Sequence, residues 1–444
     1  MSTAALLDPQ PHAREGSRGP AGLPRLLQRA PSRGAMSLAE HVMVHGPAPL
    51  LRRRSRRSEH PLIELVERAG LRGRGGAAFP TAAKLRAVAR SRRRAVVVVN
   101  ATEGEPASRK DRTLTRTLPH LVLDGATLAA EALGSAEVIV GVCASASASA
   151  ESLAAAIAER GSPRRSPVRI QLRVVPEHYL AGQETALVNH LGGGPALPTF
   201  TPPMPFQQGV ARRPTLVSNA ETFAHVALIA RHGPDWFREL GTPSQPGSTL
   251  VTLSGAVAHP GVFEIEVGAS LHSLIDAAGG ATARLRAALL GGYGGSWVAG
   301  EQLRKLALAD EHLAPLGASL GAGVVLALSE HACPVAESAR IVRWLAASSA
   351  GQCGPCVHGL DALATSFEEL AGGVAQADAG RRIAQLAALV QGRGACRHPD
   401  GVARLALSAL DTFAPELADH ARYGPCERCA APPELPLPAR ESRR

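Results

Sequence analysis

The sequence has 444 residues, 45% of them apolar, enough for globular packing and too long for one ordinary core, so two to four domains are expected. Its net charge of +10 comes from 45 Arg and only 3 Lys, and aromatic residues at 3% leave few surfaces for base stacking, which argues against nucleic-acid binding. No uninterrupted apolar run reaches the roughly 18 residues of a membrane-spanning helix. Seven cysteines include two C-x-x-C pairs, Cys353/Cys356 and Cys426/Cys429. In a chain without a recognisable secretory signal this spacing favours metal or redox chemistry in a reducing, cytoplasmic compartment over structural disulfides.

Residues 1–58 are rich in Pro, Arg, Gly and Ser, so disorder is expected there; Met36, which opens their one short periodic stretch, is an alternative start of translation. The run LRRRSRR at Leu51–Arg57 fails as a twin-arginine signal because polar Ser58, Glu59 and His60 follow it. It reads as a solvated basic run or a dock for an acidic partner. Next comes GLRGRGGAAFPTAAK, Gly70 to Lys84, with Gly70, Gly73, Gly75 and Gly76 ahead of a helix predicted from Thr81 to Arg90. Such glycines let the backbone approach a flat or phosphorylated ligand, and Arg72, Arg74, Lys84 and the helix N-terminus favour an anion. The spacing matches neither G-x-G-x-x-G nor the P-loop, so a Gly-rich surface turn before a basic helix stays open. The stretch closely resembles GLRGRGGAGFPTGLKW, the signature of the flavoprotein subunit of NADH:quinone oxidoreductase (respiratory complex I) and of related NAD-linked hydrogenase and formate dehydrogenase subunits. The resemblance runs in order from about Pro61 to about Ser408. It implies an α/β domain for FMN and NAD(P)H over residues 59–245, a β-grasp domain over 246–332, a helical iron-sulfur domain over 333–415 and a tail over 416–444.

Between Pro61 and Arg173, strands at Ala95–Val99, Glu137–Val142 and Val168–Val175 alternate with helices at His120–Leu133 and Ala150–Arg160. This βαβα pattern predicts a parallel sheet, whose ligands sit beyond the carboxyl ends of its strands. The first strand delivers Asn100-Ala-Thr-Glu-Gly-Glu-Pro106 to that edge. On their own, Glu103 and Glu105 read as turn or helix-cap acids. The resemblance to NADEGEPG implies instead that Asn100, Glu103 and Glu105 surround the flavin and nicotinamide, with Thr102 in place of an Asp. Tyr179–Leu187 resembles YICGEETAL, which implies cofactor contacts from Tyr179, Gly182, Gln183 and Glu184; Gln183 replaces the family's first Glu, and a core tyrosine is the ordinary alternative for Tyr179. Thr201–Pro205 resembles KPPFP, with Met204 replacing the Phe that stacks on adenine. Pro214–Thr222 resembles PTVVNNVET, which implies that Ser218, Asn219 and Thr222 close the flavin pocket. Gly73, Arg74, Gly75, Gly76, Phe79 and Lys84 complete the implied site, with Lys84 on the phosphate. The resemblance implies FMN rather than FAD, and the sequence offers no separate Rossmann fingerprint for an adenosine half.

From Pro246 to Ala332 the texture changes to short strands, Ser248–Ser254, Val262–Val267 and Gly323–Ser329, around a helix at Ser270–Ala278, with a hairpin signal at Ser254–Val262. Helices are predicted at Val335–Ala347, Gly359–Leu370, Gly380–Leu389 and Gly401–Thr412, a small four-helix bundle. Cys353, Cys356 and Cys396 fall in its connections, where they can converge on a metal. The resemblance to SCGKCTPC plus one distant Cys implies an iron-sulfur cluster with three of its four ligands, Ala350 standing where the first belongs. The fourth corner is then His358, His398, Cys426, Cys429, an exogenous ligand or vacant, and the type is [4Fe-4S] or [3Fe-4S]. The implied activity is that of an NAD(P)H dehydrogenase (diaphorase) module passing single electrons through the cluster to a ferredoxin-like or other iron-sulfur subunit, with any membrane association made through partners. The alternative is an electron-transfer or binding subunit of the same fold that no longer oxidises a nucleotide; the departures at Thr102, Gln183, Met204 and Ala350 speak for it.

Overall fold

The computed structural model describes residues 22–52, 58–91, 93–161, 168–374 and 378–438. Helices α1 (Leu38–His45), α2 (Pro61–Ala69) and α3 (Thr81–Ala89) precede a first domain of β1 (Val96–Ala101), α4 (Lys110–Thr117), α5 (Pro119–Leu133), β2 (Glu137–Cys143), α6 (Ser147–Glu159), β3 (Arg169–Val175), α7 (Glu184–Leu191), β4 (Thr215–Asn219), α8 (Ala220–His232) and α9 (Pro234–Arg238). The strands form one parallel sheet in the order β3-β2-β1-β4. The four valines of β1 are fully buried, as a central strand covered on both faces requires. Register pairs Asn100 with Asn219, so the carboxyl ends of β1 and β4 lie side by side. The sequence reading placed Pro214–Thr222 only at a pocket wall; it is a strand running into a helix, capped by the Asn219 side chain on the Glu221 amide.

The second domain comprises β5 (Ser248–Gly255), β6 (Gly261–Glu266), α10 (Leu271–Ala277), β7 (Leu285–Leu290), β8 (Ser296–Ala299), α11 (Gly300–Leu303), α12 (Asp310–Leu313) and β9 (Val324–Ser329). Its sheet runs β6-β5-β9-β7-β8, with β5 and β9 parallel and the other pairs antiparallel. Strands β7 and β8 escaped the sequence reading because the first is Ala/Leu-rich without alternation and the second is four residues long. Residues of β9 point alternately to two cores. Val325 and Ala327 join the domain's own core around α10, while Val324, Leu326 and Leu328 pack on the helices that follow.

Those helices are α13 (Pro334–Ala347), α14 (Leu360–Ala371), α15 (Ala379–Val390), α16 (His398–Thr412) and α17 (Ala414–Tyr423). The bundle therefore holds five helices among the described residues, one more than expected: α17 falls largely in the segment expected to be a tail, and Pro415 sits in its first turn, where a missing N–H costs nothing. No helix among the described residues is long and apolar enough to cross a membrane.

Disorder over residues 1–58 does not hold for residues 22–52. Leu26 is fully buried, and the amides of Arg25, Leu26 and Leu27 donate to the Glu264 carboxylate on β6 at 2.9, 2.9 and 3.0 Å. The Arg25 guanidinium lies 4.0 Å from the centre of the Trp236 ring and pairs with Glu239. Composition is blind to such partners, because the apolar surface that receives Leu26 exists only once both flanking domains are folded. The basic run at 53–57 lies outside the described residues. Leu26→Ala is expected to cost about 2 to 4 kcal/mol in denaturant unfolding; a change below about 0.5 kcal/mol would mean that this segment is not docked.

Candidate functional site

A cleft of about 690 Å³ opens beyond the carboxyl ends of β1 and β4, within the size range of small-molecule sites. All three domains wall it: the Gly-rich loop on one side, the turns at Gly291–Gly295 and Ser319–Ala322 on another, and the start of α16 on the third. The loop is cinched by Gly73 N donating to Phe79 O at 2.9 Å and Thr81 N to Leu71 O at 3.0 Å. Gly76 has φ +105°, and a Cβ at Gly75 would stand 3.2 Å from Asn219 Cβ, so the loop lies against β4 only without side chains there. Such a cradle fits a flat, phosphorylated cofactor.

Gly73, Arg74, Gly75, Gly76, Phe79, Lys84, Asn100, Glu103, Glu105, Tyr179, Gly182, Gln183, Glu184, Ser218 and Asn219 all line this cleft. Their side chains do not all face it in the same way. Asn100 donates from Nδ2 to Gly182 O at 2.8 Å and accepts from Thr102 Oγ1 at 2.6 Å. A Cβ at Gly182 would meet Thr102 Oγ1 at 2.5 Å, so the Tyr179–Gly182 turn is fastened to the end of β1 by close approach. Glu103 accepts from Ser108 Oγ and from the amides of Asp111 and Arg112 at 2.6, 2.9 and 3.0 Å. It caps α4, the simpler of the two readings. Glu105 is different. Its carboxylate accepts the Tyr293 amide at 3.1 Å and meets the Tyr179 hydroxyl. Burial pushes its pKa up to about 7, the amides of Tyr293 and Ala107 and the Tyr179 hydroxyl opposing and nearby Glu103 reinforcing. The Tyr179 ring is held edge-on by Trp344 at 5.1 Å and His398 at 5.4 Å.

Three expectations need correction. The Arg74 guanidinium is not a cleft cation: it turns inward to the carbonyls of Pro246 and Ser248 at 3.3 and 3.0 Å, and only its backbone faces the cleft, with its amide on Thr222 Oγ1 at 2.9 Å. Thr222 is fully buried behind that amide and closes the pocket indirectly. Met204 is not among the cleft-lining residues; it stands 39% exposed in a turn where its amide and carbonyl are taken by Gln207 and Gln208. Lys84 reaches the cleft rim, paired with Glu184 at 2.9 Å and with Val217 O at 3.1 Å. Gln183 caps α7 through Oε1, bonded to the amides of Thr185 and Ala186 at 2.9 Å.

The sequence reading missed Lys110 and Asp111. Lys110 Nζ is buried under the cleft floor among Asp111 (2.9 Å), Glu221 (2.9 Å) and Asn219 (3.2 Å). Burial alone would lower its pKa, but Asp111, Glu221 and Glu103 hold it above the usual lysine range. Asp111 is pushed up to about 6 by burial against the pull of Lys110. A signal existed: a chain that uses Arg almost throughout keeps only three lysines, and two of them, Lys84 and Lys110, line this cleft.

The three cluster thiols gather beside the cleft. Cys356 sits in a single π-helical turn at Pro355–Gly359, a distortion common at functional sites, and Cys396 lies two residues before His398, which lines the cleft. Backbone amides of Ala395 and Cys356 point at Cys353, that of Gly351 at Cys356 and that of His398 at Cys396, the environment a thiolate-bound cluster uses. These residues fit an iron-sulfur group at three corners. Ala350 offers no ligating atom, His358 is exposed, and His398 Nε2 lies 2.9 Å from Leu345 O, a pure acceptor, which makes that nitrogen the donor. Cys426 and Cys429 are not brought to this corner; they face Cys333 and His420.

Because the folded-state pKa of Glu105 lies above the ordinary 4.5, its protonated form contributes stability that is complete below about pH 4.5 and lost as pH rises through about 7. Glu105→Gln is expected to remove this slope and to raise the melting temperature relative to the unsubstituted chain at the alkaline end of that window. Parallel Tm-against-pH curves for the two proteins would overturn the assignment.

Family models match the chain in three places: the Nuo51 FMN-binding domain over residues 66–228, the SLBB domain over 250–295 and the NADH-ubiquinone oxidoreductase-F iron-sulfur binding region over 336–420. An F-type subunit of the NADH-quinone oxidoreductase of Rhizobium meliloti is 30% identical, the match covering 82% of this chain and 90% of that protein. The HndC subunit of the NADP-reducing hydrogenase of Solidesulfovibrio fructosivorans is 29% identical over 81% of this chain and 76% of that one. Among solved structures, the air-oxidised NAD+-reducing [NiFe]-hydrogenase superposes with a TM-score of 0.76 at 32% identity, covering 81% of this chain. The chain spans 62% of the length of that hydrogenase chain. With the glycine cradle, the SLBB sheet and the thiol-bearing bundle in the same order, the chain belongs to the family of the F-type subunits of NADH-quinone oxidoreductase.

Proposed function

We propose that the chain is an NAD(P)H dehydrogenase (diaphorase) module that oxidises a nicotinamide nucleotide at bound FMN and sends the electrons singly to an iron-sulfur cluster and then to a partner subunit. The observation that carries this reading is the continuity of one cleft from the glycine cradle to His398, two residues from Cys396. FMN, when bound, supplies the conversion between the two-electron chemistry of a nicotinamide and the one-electron chemistry of a cluster. The chain's own residues place and insulate it. The Gly73–Gly76 backbone admits the ring system, and Asn219 and Asn100 present amides at the sheet edge. Lys84, at the rim and about one-third exposed, is available to a phosphate in exchange for Glu184. Glu105 and Tyr179 hold a proton between them at the cleft wall. Val357 is half exposed next to buried Cys356, which leaves the cluster segment near the surface for an iron-sulfur partner.

Anaerobic titration of the purified, FMN-reconstituted chain with NADH tests the reading: bleaching of the flavin absorbance is expected. A flavin-loaded protein that stays yellow under excess NADH and NADPH would instead support a binding subunit that has lost nucleotide oxidation.

Gln183 bears on nucleotide choice. Its Oε1 is committed to α7, so the amide NH2 is the part that can face a ligand, and a neutral donor does not repel a 2′-phosphate as a carboxylate would. NADPH is expected to be a substrate, and Gln183→Glu to shift the NADH/NADPH ratio of kcat/KM toward NADH by about tenfold or more, a difference of about 1.4 kcal/mol. An unchanged ratio would remove Gln183 from the argument.

A further inference from the structure

We propose that Cys333, His420, Cys426 and Cys429 form a structural zinc site that fastens the C-terminal tail to the helical domain. Their ligand atoms all lie within 4.8 Å of one another. Cys333 comes from the turn between β9 and α13, His420 from the last turn of α17, and the two remaining thiols from the C-x-x-C just beyond it. Zn–S bonds near 2.3 Å and Zn–N bonds near 2.0 Å in a tetrahedron place sulfurs roughly 3.8 Å apart and sulfur and nitrogen roughly 3.5 Å apart. The observed separations are 3.8 Å for Cys426–Cys429, 3.4 Å for Cys333–Cys429, 3.5 Å for Cys333–His420 and 3.9 Å for Cys429–His420. A group this tight leaves room for one ion and not for a cubane.

The surroundings point the same way. His420 Nδ1 lies 3.3 Å from Leu370 O, and a carbonyl only accepts, so Nδ1 carries the proton and Nε2 turns a lone pair toward the three sulfurs. This is the arrangement by which a backbone carbonyl orients a metal-bound histidine. Cys333 Sγ accepts the Ala336 amide at 3.5 Å, and Arg428 bonds the Cys426 sulfur, offsetting the excess negative charge of three thiolates on a dication. Cys333 and His420 are buried. Four protein ligands with no open position make the site structural rather than catalytic.

What it would hold is the path of residues 424–438. From the site the tail runs back across the molecule. Glu434 accepts from Ser329 N at 2.8 Å and Oγ at 2.5 Å, and its own amide donates to Glu337 Oε1 at 2.7 Å. Beyond it, the Tyr293 hydroxyl donates to Pro436 O. The Tyr293 amide holds Glu105, so the pinned tail backs the wall of the cofactor cleft.

The test uses the full chain, purified without oxygen after growth with zinc and iron. Metal analysis is expected to give one zinc per chain in addition to iron. Cys426→Ser/Cys429→Ser should lose the zinc and keep the iron, while Cys353→Ser should lose iron and keep the zinc. Cobalt exchanged into the native chain should show the intense visible bands of a tetrahedral thiolate site, and His420→Cys should retain cobalt with those bands moved to longer wavelength. The cobalt spectra decide the matter even where the double variant fails to fold. Absence of zinc from the native chain, zinc retained by the double variant, loss of iron with the same substitution in a folded protein, or a disulfide among these cysteines in anaerobic protein would each overturn the proposal.

Discussion

The buried cluster of Lys110, Glu221, Asp111 and Arg74 is the constraint on which the rest of the molecule depends. Glu221, at the start of α8, is fully buried, and Lys110, His225 and Arg74 together outweigh the upward push of burial to hold its carboxyl well below the usual range. It takes Lys110 Nζ with one oxygen, and with the other it accepts Leu250 N at 2.9 Å and Thr249 Oγ1 at 3.0 Å on β5. One carboxylate thus joins a helix of the first domain to a strand of the second. Arg74 repeats the join from the opposite direction, passing from the glycine loop to the carbonyls that begin β5. Removing one partner from such a group costs about 3 to 5 kcal/mol, because the remaining charge cannot be rehydrated. The loop over the cleft is therefore held by Arg74, from behind, and is preorganised before any ligand arrives.

Several of the charged and polar groups around the cleft are taken up by the protein itself. Arg74 is committed to the domain junction, Glu103 to the cap of α4 and Gln183 Oε1 to the cap of α7. What the cleft presents is backbone, asparagine amides, the Lys84–Glu184 pair at the rim and the exposed arginines Arg397 and Arg404 from the start of α16, with Glu105 as its buried acid. A carboxyl with a pKa near 7 between two tyrosines is poised to change charge near neutrality, which couples the wall of the cleft to solution pH and, through Tyr293, to the C-terminal tail.

The two groups of thiols differ in kind although both contain a C-x-x-C pair. Cys353 and Cys396 lie in loops and Cys356 in the π-helical turn, with amides aimed at all three, beside the cofactor cleft. Cys333, Cys426 and Cys429 close with His420 on a volume that suits one ion. Spacing within the motif is the same, so the distinction rests on what the third and fourth residues are and how far away the fold leaves them.

Much of the domain order, the parallel sheet, the hairpin and the convergence of Gly73–Gly76, Asn100, Glu105 and Asn219 was legible from sequence. Glycine spacing, alternating apolar runs and motif resemblance all report local backbone demands, and these survive in any tertiary context. The sequence could also offer the two fates of Glu103, the cap from its own residue type in a turn and the ligand from the resemblance to NADEGEPG. It could not choose between them, nor see that Arg74 turns inward, that Met204 stays outside, that Leu26 is buried or that His420 belongs with Cys333. Each of those depends on where a side chain points relative to residues far away in the chain. Only the packing of three domains, which decides the burial and the partner of every such group, turned a list of candidate residues into a site.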